Sequence, residues 1–295
     1  MRALKFLAVF LIFLLLSSTA YAQCSQKSLS IAVIPRVKLT QEDLQREYQP
    51  LLERLSSALG MNVEIIPASS YESVIDAIVS GGVDIAWLGP ASYILAHQRD
   101  PRIEPFASLT INSGFFTPAG HRYQSLLLTR AGTASDLAAL RGKRVALSDP
   151  ASTSGNMVPN AEFPTQVGMP LAQFFSSVVY AGSHDKSMDA LLEHRVDAAF
   201  VSSVRTDAYL KDGRIDRDTF TVLWRSDAIY YDPFVFSGNL CPALKEKIRA
   251  AMLDDPKALS SFFASQNVSG IVPVSHAEYV PLMRMIQATA LKPER

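Results

Sequence analysis

The sequence predicts an α/β protein, on three observations. Short apolar runs of strand length alternate with amphipathic helical stripes, a helix-turn-strand unit recurs once, and 48% of the 295 residues are apolar, enough to fill a large core. That apolar content excludes intrinsic disorder for most of the chain. At the start, Arg2 and Lys5 precede the apolar run Phe6–Leu16 and the small-x-small triplet Ala20-Tyr21-Ala22, the pattern of a secretory leader (residues 1–22) with cleavage expected after Ala22. The run is shorter than the about 20 residues a membrane span needs, and no later segment approaches that length, so an exported soluble protein is expected. Cys24 follows Gln23 rather than a small residue, which argues against lipid attachment.

Residues 29–35 read as a first buried strand. Thr40 and Asp43 resemble a capping box at the head of a helix whose stripe runs through Leu44, Tyr48, Leu51, Leu52, Leu55 and Leu59 and stops at Gly60. Residues 63–66 form the second strand, and further strands are expected at 83–88, 125–130, 144–148, 178–181, 196–201 and 220–224, largely parallel, with a mainly helical tail after Cys241. The recurring unit is SYESVIDAIVSGGVDIAWLG at Ser70–Gly89 and SHDKSMDALLEHRVDAAFVS at Ser183–Ser202, which align without a gap. Tyr71 meets His184, Asp76 meets Asp189, Val83-Asp84 meets Val196-Asp197 and Trp87 meets Phe200. Two copies at long separation imply two similar α/β lobes, each presenting a helix N-terminus toward the other.

The chain carries 28 basic and 28 acidic residues, and losing Arg2 and Lys5 with the leader makes it slightly acidic, so nucleic-acid binding is not expected. Its two cysteines, Cys24 and Cys241, form an even pair in an oxidising compartment and are expected to be bonded, two unrelated thiols being the alternative. The five histidines make no HExxH and no zinc-spaced cluster, and GxSxG, P-loop and GxGxxG motifs are absent, so neither a metal centre, a cofactor nor an enzymatic activity is expected. The segment best suited to a ligand is Asp149-Pro150-Ala151-Ser152-Thr153-Ser154-Gly155, between a strand and a helix: three hydroxyls and unpaired backbone N–H groups suit a small tetrahedral anion, though an ordinary helix cap has the same composition. Tyr230-Tyr231 raises a ferric-iron site as an alternative, set against aromatic packing where the chain passes between lobes.

In order and spacing, Tyr71 with Val83-Asp84-Ile85-Ala86-Trp87, the Asp149–Gly155 loop with Pro159, Ser183-His184-Asp185 with Val196-Asp197-Ala198-Ala199, and Asp232-Pro233 resemble the phosphonate/phosphite/phosphate-binding proteins of ABC importers. The resemblance spans nearly the whole chain after the leader. It implies a two-lobed periplasmic-binding-protein fold of the type with two crossover strands (type II), with lobe 1 at 23–122 and 233–295 and lobe 2 at 123–232, closing on its ligand by a hinge. It implies a phosphorus oxyanion held by Tyr71, Tyr123, Ser152, Thr153, Ser154 and His184, with Asp232 beside them. An inner-membrane ABC permease is the implied partner, a monomer the expected state, and a sensing module for a membrane kinase the alternative use. Two crossovers also bring Cys24 and Cys241 to the same lobe. Members that prefer aminoalkylphosphonates use a pair of acids for the ammonium. One of those positions is here Val204, followed by Arg205, which points to phosphite, methylphosphonate or a similar small oxyanion unless Glu162 or Asp207 supplies the acid.

Overall fold

The computed structural model describes residues 24, 26–34 and 40–290. The expected leader and its cleavage point lie outside the described residues. Among the described residues thirteen strands occur in chain order: β1 Ser28–Val33, β2 Asn62–Ile66, β3 Ile85–Trp87, β4 Glu104–Ile111, β5 Arg122–Tyr123, β6 Ser125–Arg130 and β7 Arg144–Leu147, followed by β8 Ser177–Tyr180, β9 Ala198–Ser202, β10 Phe220–Arg225, β11 Ile229–Tyr230, β12 Pro233–Phe236 and β13 Val268–Pro273. They build a six-stranded sheet in the order β13-β4-β12-β3-β1-β2, a five-stranded sheet in the order β10-β6-β9-β7-β8, and a two-stranded ribbon of β5 with β11.

The two large sheets share one plan. In the first, β2-β1-β3 run parallel and β12 lies antiparallel between β3 and β4. In the second, β8-β7-β9 run parallel and β6 lies antiparallel between β9 and β10. In both cases the antiparallel strand is the one the chain enters just after passing between the sheets, through the ribbon where Tyr123 faces Ile229 and Arg122 faces Tyr230. This corrects the expectation of largely parallel sheets: a strand arriving from the other lobe needs no helical crossover and inserts in the opposite sense. The tail after Cys241 is mainly helical, as expected, with one strand, β13, pairing antiparallel with β4 between the helices Ser260–Gln266 and His276–Ala290.

Burial follows the strand period. Leu29, Ile31 and Val33 of β1 enter one apolar cluster with the stripe of helix Gln41–Leu59, and Ala32 enters the cluster on the opposite face with Val74, Ile75 and Ile78. Thr40 and Asp43 make a full capping box, and Gly60 takes the left-handed conformation that ends that helix (φ 68°). The repeat has a structural purpose beyond patterning. Asp84 accepts from the backbone N–H of Ser30 (2.8 Å) and Asp197 from that of Arg144 (2.9 Å), so each unit's acid fastens the neighbouring parallel strand of its own sheet. Cys24 and Cys241 are disulfide-bonded, with Cα atoms 6.0 Å apart, and tie the segment just before β1 to the head of helix Pro242–Leu253. No helix among the described residues is long and apolar enough to cross a membrane.

Candidate functional site

Five helix starts face one cavity of about 540 Å³ between the sheets. Tyr71 and Gly89 come from the first sheet's side, at the heads of helices Tyr71–Ser80 and Pro90–Arg99. Ser152, Ser183 and Ser202 come from the second, heading the Thr153–Met157 turn and helices His184–Leu192 and Ser203–Lys211. The seven predicted site residues, Tyr71, Tyr123, Ser152, Thr153, Ser154, His184 and Asp232, all line this cavity. Spacing explains the convergence. A serine caps both repeat helices, so Tyr71 and His184 occupy the same first helical position on opposing sides.

The loop after β7 is a single wide turn in which Met157 N donates to the Ser152 carbonyl (3.0 Å), while Ser152 Oγ accepts from Gly155 N (3.1 Å). Gly155 is required by close approach, since a Cβ there would fall 2.2 Å from Ser148 Oγ. The geometry fixes the tautomer of His184. Nδ1 accepts from the Ser202 backbone N–H (3.2 Å) and lies 2.8 Å from Ser148 Oγ, so the ring proton sits on Nε2, which lies 3.4 Å from Ser152 Oγ on the cavity side. Burial lowers the His184 pKa to about 4, so the ring is a neutral N–H donor at physiological pH.

Burial, reinforced by the Asp232 charge, raises the pKa of both Tyr71 and Tyr123, keeping them as O–H donors. The neighbouring hydroxyls act the other way, Ser152 on Tyr71 and Ser154 with Thr153 on Tyr123, without cancelling the rise. Thr153 Oγ1 accepts from Ala91 N (2.8 Å), which leaves its own proton to donate. The buried Ser154 Oγ has no hydrogen-bond partner among the described residues. Asp232 is pushed up to about pKa 7 by burial alone. Its backbone carbonyl is held by Trp87 Nε1 and Ser108 Oγ, both at 3.1 Å, which fixes the carboxyl beside the hydroxyls.

Several expectations on the surroundings resolve. Arg205 is bound through two nitrogens to Asp185 (2.8 Å at the shortest) and does not occupy Asp232. Val204 lines the cavity, as does Asp207, whose Oδ1 accepts from Phe116 N (2.9 Å); Glu162 instead caps Asp227 N (3.0 Å) and is not among the lining residues. Tyr230 and Tyr231 diverge: Tyr230 accepts from Arg122 (2.7 Å) in the ribbon, while Tyr231 packs on Trp87 and Tyr123. Sequence reading missed Ser148 and Ser202, which orient His184, and the Gly89–Ser92 turn. Following the repeat past Gly89 and Ser202 would have found the turn, because both positions head the next helix of their unit.

A cleft between two sheets of like plan, joined by two crossovers and lined with helix starts, defines a type II periplasmic binding protein. Residues 31–279 match the family model described as ABC transporter, phosphonate, periplasmic substrate-binding protein, and the chain belongs to that family. It is 27% identical over 276 residues to the phosphate-import protein PhnD of Mycolicibacterium smegmatis, across 86% of this chain and 83% of the relative. It is 28% identical over 250 residues to the phosphonates-binding periplasmic protein of Escherichia coli, across 83% and 71%. The structure of PhnD1 from Prochlorococcus marinus in complex with methylphosphonate superposes with a TM-score of 0.76 at 18% identity, covering 90% of this chain and 98% of that one.

Proposed function

We propose that this protein captures a small phosphorus oxyanion, such as phosphite or methylphosphonate, in the cavity between its lobes and delivers it as a monomer to an ABC permease, without converting it. The lobes divide at residues 122/123 and 232/233, a division that the membership of the two sheets supports. The observation that carries the reading is the set of uncharged donors. Tyr71, Tyr123, Ser152, Thr153, Ser154 and the Nε2–H of neutral His184 meet at five helix N-termini, so an anion gains hydrogen bonds and favourable dipoles without an ion pair. Asp232, titrating near 7, adds a group able to share one proton with the ligand, which favours phosphorus oxyanions over fully ionised sulfate.

The substituent on phosphorus faces an apolar wall at Val204, and the Arg205 charge is already taken by Asp185. Asp207 shares the lining but accepts from Phe116 N and faces the Arg225 charge; a buried ammonium requires paired charge, so an aminoethyl group gains little here. The test is a thermal-shift and calorimetric panel of phosphite, hypophosphite, phosphate, methylphosphonate, 2-aminoethylphosphonate and sulfate. Phosphite or methylphosphonate is expected to bind at least about tenfold tighter than 2-aminoethylphosphonate, a gap of roughly 1.4 kcal/mol. A preference for the amino compound would overturn the role given to Val204, and binding of sulfate alone would overturn the ligand class.

A further inference from the structure

The helix Pro90–Arg99 begins at Gly89, which has no side chain to cap it. Its cap comes from across the cleft: Ala91 N donates to Thr153 Oγ1 at 2.8 Å, and Ser92 Oγ donates to the Ala151 carbonyl at 2.9 Å. Ala91 and Ser92 are fully buried, and Ala151 and Thr153 nearly so. Ala151 belongs by sequence to the loop after β7, yet it packs in the apolar cluster of the first sheet with Tyr71, Leu88 and Tyr93. The rim of one lobe is therefore plugged into the other by one methyl group and two dry hydrogen bonds. Neither Ala91, Ser92 nor Ala151 lines the ligand cavity.

We propose that Ser92 is a positioning residue for ligand capture: its bond to Ala151, beside the Ala91–Thr153 bond, is an interlobe lock that sets how much of the protein is closed. This rests on reading the cleft as the ligand site. When the lobes part, the Ser92 hydroxyl and the Ala151 carbonyl turn to water; when they meet, each is the other's partner in a dry seam, so the bond counts only in the closed form. Apparent affinity scales with the fraction of protein that is binding-competent, and a residue that touches no ligand thereby sets affinity. The lock also holds Thr153 in register. With one lone pair accepting from Ala91 N, the oxygen is held in place and its hydroxyl proton is free to turn to an anion.

The test uses Ser92→Ala, which deletes the donor, and Ser92→Cys, which fills the same space with a poor donor, in protein purified from the periplasm. Solution scattering of the ligand-free protein and the release rate of methylphosphonate, followed by stopped-flow fluorescence, are the readouts. Both variants are expected to have a larger ligand-free radius of gyration than wild type, the same radius when saturated, and a Kd raised about threefold to tenfold through faster release. Wild-type radii and release rates in both variants would overturn the lock, as would a lowered melting temperature alone, which marks a merely structural hydroxyl. If wild-type protein binds no methylphosphonate, the functional reading fails, and the ligand-free radii still decide on the lock.

Discussion

At Asp232 a carboxyl is set among hydroxyls, and burial moves its pKa up to about 7. Below that value it is an acid that can donate to an oxyanion; above it, both partners bring negative charge unless the ligand keeps a proton to share. The affinity for methylphosphonate is therefore expected to fall as pH rises from 7 to 9, measured by calorimetry, and Asp232→Asn is expected to flatten this profile and admit sulfate. The same group acts on stability. The folded protein holds this proton between the ordinary carboxylate range near pH 4 and about 7, where the unfolded chain does not, so its contribution is present at low pH and is lost as pH rises through 7. Asp232→Asn should accordingly melt above wild type at pH 8. His184 has the opposite sign: with its folded pKa lowered to about 4, stability from the neutral ring is present above the ordinary imidazole range and is lost as pH falls through 4. Residue identities at this scale were legible in the sequence, because Tyr71, His184 and the hydroxyl loop stand in local patterns. The tautomer of His184 and the protonation of Asp232 were not, since both are set by groups far away in the chain, Ser202 and Ser148 for one and the burying walls for the other.

The hydroxyl loop shows how an element carries chemistry through its backbone. Ser148 N donates to the Gly155 carbonyl (2.9 Å), and Ser148 Oγ approaches both the Gly155 Cα and the His184 ring, so strand end, turn and imidazole form one packed unit. Gly155→Ala would place a methyl 2.4 Å from Ser148 Cβ and force the turn outward. It is expected to weaken ligand binding by about 1–3 kcal/mol, the order of a lost hydrogen bond to a desolvated charge, with a smaller loss of melting temperature. The strand-helix units β1 to β3 and β7 to β9 were readable from period and repeat, since each is built from neighbours in sequence. Strands β4, β12 and β13 were not: their sequences, EPFASLTI, PFVF and VSGIVP, have no clean alternation, and their place is fixed by antiparallel pairing with strands distant in the chain. The repeat marks where the helix after Gly89 begins, but its cap escaped for a related reason, because the capping residue Thr153 stands 62 residues away in the other lobe.

On the scale of the whole molecule, the lobes are linked by the β5–β11 ribbon and backed by helix His276–Ala290. Tyr279 of that helix donates to the Tyr231 carbonyl at 3.1 Å, and Leu282 packs against the apolar clusters of both large sheets. The disulfide lies within the first sheet's side of the molecule, away from the cavity residues, and closes a sequence separation of 217 residues. Replacing both cysteines by serine is expected to lower stability by about 2–4 kcal/mol in denaturant unfolding and to leave ligand affinity unchanged. Cys24 and Cys241 could be paired on paper, but only the topology, with the chain returning to its first sheet at β12, shows why they meet. Whether uncharged donors in this cleft hold a phosphorus oxyanion is decided by titrating methylphosphonate calorimetrically into wild-type protein and into His184→Ala at pH 7. Saturable one-to-one binding by the wild type is expected, with a loss of about 1–3 kcal/mol of binding free energy in a variant that stays folded at a lower melting temperature; no heat from methylphosphonate, phosphite or phosphate, or equal affinity in a folded variant, would overturn this reading.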